Sequence, residues 1–210
     1  MASNPDPSTS ALRADPAPQG PRWPATLSVI FHWLAAVAMF GALAGGVFVH
    51  RLSSCCDVGH WTVYNLHASF GLALLALVVL RILVRLLRPW PALPEHMPVW
   101  QRLTARATHT ALYVLMVALP LAGWSIVSAP GCCHLNPYVF DWFVLPSLDP
   151  APIPNRAAAF SLHSVLAWMT MGVIALHASA ALFHHFVYRD DILARIVPAL
   201  RAWRSRREQK

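Results

Sequence analysis

Residues 157–188 read AAAFSLHSVLAWMTMGVIALHASAALFHHFVY, 32 consecutive positions without Asp, Glu, Lys or Arg. A helix rises ~1.5 Å per residue, and a bilayer core needs about 20 apolar residues to be crossed. This stretch is long enough, and Arg156 and Arg189 bound it on either side. Three similar gaps precede it, at 23–50, 58–80 and 107–140, of 28, 23 and 34 residues. Four crossing segments predict an all-α integral membrane four-helix bundle, with helices over about 24–49, 61–87, 100–127 and 157–187.

Composition agrees. Of 210 residues, 57% are hydrophobic and only 12% are charged, about half the charge of a soluble domain. An ordinary soluble enzyme, a disordered chain and a disulfide-rich secreted module are excluded. Nucleic acid is not an expected partner despite a net charge of +7, because the basic residues flank apolar segments and form no separate basic domain. The expected partner is the lipid bilayer.

Residues 1–22 are polar, carry five prolines and read as a disordered cytoplasmic tail. Residues 23–198 form the membrane domain, and 199–210 a basic cytoplasmic tail. Leu86–Val99 and Ser128–Arg156 are proline-rich connectors, and no internal repeat is visible. With four crossings, 14 of the 16 Lys and Arg residues fall on the side shared by the termini and the middle connector, and only Arg51 and Arg156 on the other. The positive-inside rule then places both termini in the cytoplasm of a bacterial inner membrane and the 50–60 and 128–156 loops outside.

Histidine is the second signal. His32, His67, His109, His163, His177, His184 and His185 fall within the predicted helices, and imidazole at membrane depth needs a partner or a task. His163 and His177 are 14 residues apart, ~21 Å along the axis and within ~40° of whole turns. They therefore share a side of helix four near opposite membrane faces. By helix direction, His32 lies at the inner level with His177, and His67 at the outer level with His163. Each pair can bracket a flat group, and haem in an apolar slot is the best candidate. Two histidines at one level make only half a tetrahedral zinc set, and the absence of CxxCH excludes covalent attachment. Fourteen residues on from His32 and His109 stand Gly46 and Gly123, where a ring can approach the backbone closely. Fourteen on from His67 stands Arg81, which with Arg85 is a candidate partner for haem propionates.

The segments Ile30-Phe-His-Trp-Leu34, Asn65-Leu-His-Ala-Ser-Phe-Gly71, Arg81-Ile-Leu-Val-Arg85, His109-Thr-Ala-Leu-Tyr113, Ala118-Leu-Pro-Leu-Ala-Gly123, Leu162-His163, Ala175-Leu-His177 through Phe186, and Arg189-Asp-Asp191 carry a resemblance. Together they resemble the bacterial cytochrome b561 family of small four-helix dihaem proteins, over about residues 23–198. The resemblance implies two non-covalent haem b groups, with His32 and His177 as axial ligands of the inner one and His67 and His163 of the outer one. It also implies electron exchange with ubiquinone, and in one member type the oxidation of superoxide at the outer face.

The expected function is electron transfer across the bilayer between a periplasmic donor, superoxide among them, and the ubiquinone pool. The alternative is a haem b anchor and conduit subunit of a periplasmic dehydrogenase, hydrogenase or reductase; a third class is a Cys/His metal transporter or sensor. Quinone-site candidates are His184, His185, Arg102 and Ser28, which crowd the inner interface. The outer loops depart from the family pattern with Cys55, Cys56, Cys132 and Cys133. In an oxidising compartment these are expected to form loop-to-loop disulfides, with a metal site including His60 or His134 as the rival. The outer side sets Arg51 and Arg156 against Asp57, Asp141 and Asp149.

Overall fold

The computed structural model describes residues 23–51, 58–87, 98–129, 136–190, 192–197 and 199–200. Four long helices dominate: α1 (Trp23–Arg51), α2 (Val58–Leu87), α3 (Val99–Ser128) and α4 (Arg156–Phe183). All four are long and apolar enough to cross a membrane, over Thr26–Val49, Trp61–Leu86, Val99–Ser128 and Arg156–Tyr188. We call the end where α1 starts and α4 finishes the lower end.

Small side chains decide the packing. Ala35, Ala38 and Met39 of α1 bury against Leu74 and Val78 of α2, with Tyr113, Met116 and Val117 of α3 and Ile174 of α4 closing the cluster. Alanine at a helix crossing lets backbones approach, which is how helices associate when the surrounding solvent is itself apolar. The perimeter is apolar too: Val37, Phe40, Val114 and Trp168 are exposed. α1 lies along α2, α3 lies along α4, and α2 also meets α3. Between α4 and the α1–α2 pair, ring contacts of histidine do the reaching.

Two elements fall outside the all-α expectation. The connector after α3 holds a short antiparallel hairpin, β1 (Tyr138–Val139) with β2 (Phe143–Val144). Three residues, Phe140–Trp142, join the strands: Phe140 and Asp141 both have positive φ, 46° and 58°, and Trp142 N–H closes the turn on Val139 O at 3.0 Å. Phe140 N–H donates to Ser69 Oγ at 2.8 Å and Tyr138 N–H to Asn65 Oδ1 at 3.1 Å, strapping the hairpin to α2. Second, α4 does not run as an α-helix to residue 187. It gives way to a π-helical turn, His184–Tyr188, closed by Arg189 in the left-handed conformation. The chain then folds back through a 3₁₀ turn, Leu193–Arg195, and Trp33 Nε1–H donates to Ile196 O at 2.8 Å.

Candidate cofactor sites: two pairs of facing histidines

Toward the upper end, His67 of α2 and His163 of α4 face each other with ring centroids 5.9 Å apart. An imidazole nitrogen binds a transition metal at ~2 Å, so two imidazoles on opposite sides of one metal have centroids about 6 Å apart. The spacing fits. The tautomers fit as well. His67 Nδ1 bonds to Ala42 O at 2.7 Å and His163 Nδ1 to Leu119 O at 3.0 Å. A carbonyl only accepts, so each Nδ1 carries the hydrogen and each Nε2 keeps its lone pair for a metal.

Glycine makes room for these rings. A Cβ on Gly46 would stand 3.1 Å from His67 Cε1, and one on Gly123 3.1 Å from His163 Cε1. The expectation was space for a cofactor ring against the backbone; in the structure it is the imidazole that fills each notch. The two halves also match in spacing: His32, Ala42 and Gly46 on α1 repeat as His109, Leu119 and Gly123 on α3. The first carbonyl holds His67 and the second holds His163, so a repeated His and Gly spacing carries a repeated geometry.

At the lower level His32 of α1 and His177 of α4 lie 6.4 Å apart, again a fit to one metal between two rings. A third imidazole, His109, packs against His177 at 5.3 Å. Its 14-residue spacing to Gly123, the same as that of His32 to Gly46, is the sequence signal that sets it at the level of His32. The Arg81 guanidinium lies within electrostatic reach of His32, His109 and His177. Arg85 sits over the Tyr113 ring, 5.6 Å from its centroid. Both arginines are thus at the lower level, where anionic cofactor groups would meet them.

The remaining sequence candidates are scattered. His184 Nδ1 donates to Asp190 Oδ2 at 2.5 Å, and His185 Nδ1 is buried with no hydrogen-bond partner among the described residues. Arg102, in the first turn of α3, and Ser28, in the second turn of α1, are half-buried. Among the described residues neither bonds to His184 or His185, so the four do not form one hydrogen-bonded cluster. Cys55, Cys56, Cys132, Cys133 and His134 lie outside the described residues. Among those described, no group of three or more His, Cys, Asp or Glu side chains gathers into a self-sufficient ion site.

Four membrane-crossing helices that set imidazoles face to face make this a membrane cytochrome of the b type. The chain belongs to the prokaryotic cytochrome b561 family, whose model matches residues 22–199. It is 36% identical over 173 residues to cytochrome b561 homolog 2 of Escherichia coli K12, covering 81% of this chain and 89% of that one. It is 31% identical over 180 residues to a probable superoxide oxidase, CybB, of Yersinia pestis, covering 73% of this chain and 99% of the relative. Cytochrome b561 homolog 1 of E. coli K12 is 30% identical over 135 residues. The protein therefore carries haem b and works in electron transfer in a bacterial membrane.

Proposed function

We propose that the chain holds two haem b groups, one between His67 and His163 and one between His32 and His177, and moves electrons from a periplasmic donor to ubiquinone. The observation that carries this reading is the ring spacing at each level, 5.9 and 6.4 Å, together with the commitment of both upper Nδ1 atoms to helix carbonyls. Haem b held between these histidines would supply single-electron transfer. The chain's own residues do the rest. Ala42 O and Leu119 O orient the upper imidazoles, Gly46 and Gly123 admit them, and Arg81 and Arg85 take the propionates at the lower level. His163 and His177 place the two levels ~21 Å apart along α4, most of a bilayer core.

The donor reading includes superoxide, supported by the name of the Yersinia relative. The termini lie in the cytoplasm of the inner membrane, supported by the 14-to-2 distribution of Lys and Arg. That makes the lower end the inner one, with ubiquinone reduced near His184, His185, Arg102 and Ser28.

Purified holoprotein should contain two low-spin haem b per chain. His67→Ala and His163→Ala should each eliminate the same spectral component, and His32→Ala and His177→Ala the other. Loss of one component by both His67→Ala and His177→Ala would refute the pairing. Co-purification with a stable periplasmic subunit, without haem reduction by free superoxide, would favour the conduit reading.

A further inference from the structure

The end of α4 is built around one carboxylate, that of Asp190. Asp190 follows the left-handed Arg189, and its N–H returns to His184 O at 3.3 Å. One oxygen, Oδ2, accepts from His184 Nδ1, and the other, Oδ1, accepts from Ile192 N–H at 3.1 Å. Both oxygens are thereby fixed, and the His184 side chain is only 17% exposed. The location matters as much as the contacts. The carbonyl end of a helix is negative, so a carboxylate there is electrostatically unfavourable unless a donor or cation answers it. His184 is that answer, held by the π-helical turn that swings residues 184–188 off the α-helical path.

From this geometry we infer that Asp190 is the positioning residue of a His184–Asp190 proton-donating pair for quinone reduction. This rests on the quinone site proposed above. Asp190 fixes the hydrogen on Nδ1, leaving Nε2 as the nitrogen that takes a proton from water and passes it to a ligand. With superoxide as donor the balance is two superoxide plus quinone plus two protons, giving two dioxygen and quinol. The electrons come from superoxide. A proton leaves His184 Nε2 for a quinone carbonyl oxygen as that oxygen gains negative charge, and water at the cytoplasmic interface reprotonates the ring. A second cycle delivers the second proton. An Asp that merely anchors the folded-back segment would act only through its Ile192 bond, so the two roles separate.

The test uses holoprotein in nanodiscs, reduced beforehand and mixed with short-chain ubiquinone while haem reoxidation is followed. His184→Ala, Asp190→Ala and Asp190→Asn should each slow the maximal rate at least about tenfold, with the half-saturating quinone concentration little changed. Asp190→Glu should recover part of the rate. Ile192 has φ −60°, which proline accepts, so Ile192→Pro deletes the anchoring bond alone and should keep the wild-type rate. Redox-difference infrared spectra should show imidazole bands in wild type that Asp190→Asn shifts. A wild-type rate in His184→Ala would overturn the quinone site itself. A wild-type rate in Asp190→Asn beside a slow His184→Ala would overturn only the pair, as would an Ile192→Pro as slow as Asp190→Ala.

Discussion

At the residue scale, the histidine sites depend on what is missing beside them. Glycine inside a helix costs ~1 kcal/mol relative to alanine, yet Gly46 and Gly123 stand where alanine would meet an imidazole at 3.1 Å. Neither ring is free to yield, because His67 and His163 are each held through Nδ1 by a carbonyl one turn before the notch. Gly172 on α4 is the natural control, since a Cβ there meets nothing within 4 Å. Gly46→Ala and Gly123→Ala should therefore each lower the haem content of the His67–His163 site and broaden its spectrum, while Gly172→Ala keeps both haems. A haem-to-protein ratio on the three variants decides this. The levels of the facing histidines were legible in the sequence because depth along a membrane helix is counted in residues: 14 steps from His163 reach His177. The carbonyl partners were not, because any residue supplies a carbonyl, and only the meeting of α1 with α2 and of α3 with α4 selects Ala42 and Leu119.

At the element scale, gaps in charge located all four helices but did not end them correctly. The gap at 107–140 continues past Ser128, where α3 stops, because the connector beyond it is itself apolar. Its hairpin was illegible for a related reason. Phe140-Asp141 is an unusual pair for positive φ, and the Asn-Gly or Asp-Gly signal that normally betrays such a turn is absent. What holds the turn is tertiary. Ser69 is fully buried; its Oγ donates to Asn65 O at 2.7 Å and accepts from Phe140 N–H. Removing that oxygen leaves a backbone donor without its partner, at a cost of about 1–3 kcal/mol. Ser69→Ala should thus speed amide exchange across residues 138–145 about tenfold in nanodiscs, with the haem spectrum unchanged because His67 occupies the other face of α2. Unaltered exchange would mean that Asn65 alone suffices to strap the hairpin.

At the scale of the whole molecule, the two ends are chemically unlike, and electron flow inherits that asymmetry. The upper level is symmetric: one histidine from each helix pair, each on a carbonyl, each beside a glycine. The lower level is not. On α4, 14 residues beyond the upper ligand stands His177; on α2 the same step lands on Arg81, so the lower level gathers three imidazoles and a guanidinium. Cationic charge near a centre favours its reduced form, since the added electron is answered by a fixed positive group. On the proposed reading, an electron entering at the upper level is therefore drawn toward the lower one. This ordering gives a directional prediction. In proteoliposomes with the hairpin face outward, superoxide generated in the external medium should reduce the His67–His163 component first and the His32–His177 component after it. His67→Ala should abolish reduction from that side, yet quinol supplied at the opposite face should still reduce the remaining haem. Stopped-flow spectra in the two vesicle orientations make the comparison. If His67→Ala leaves external superoxide as effective as before, electrons enter by another route, and the upper pair is not on the path.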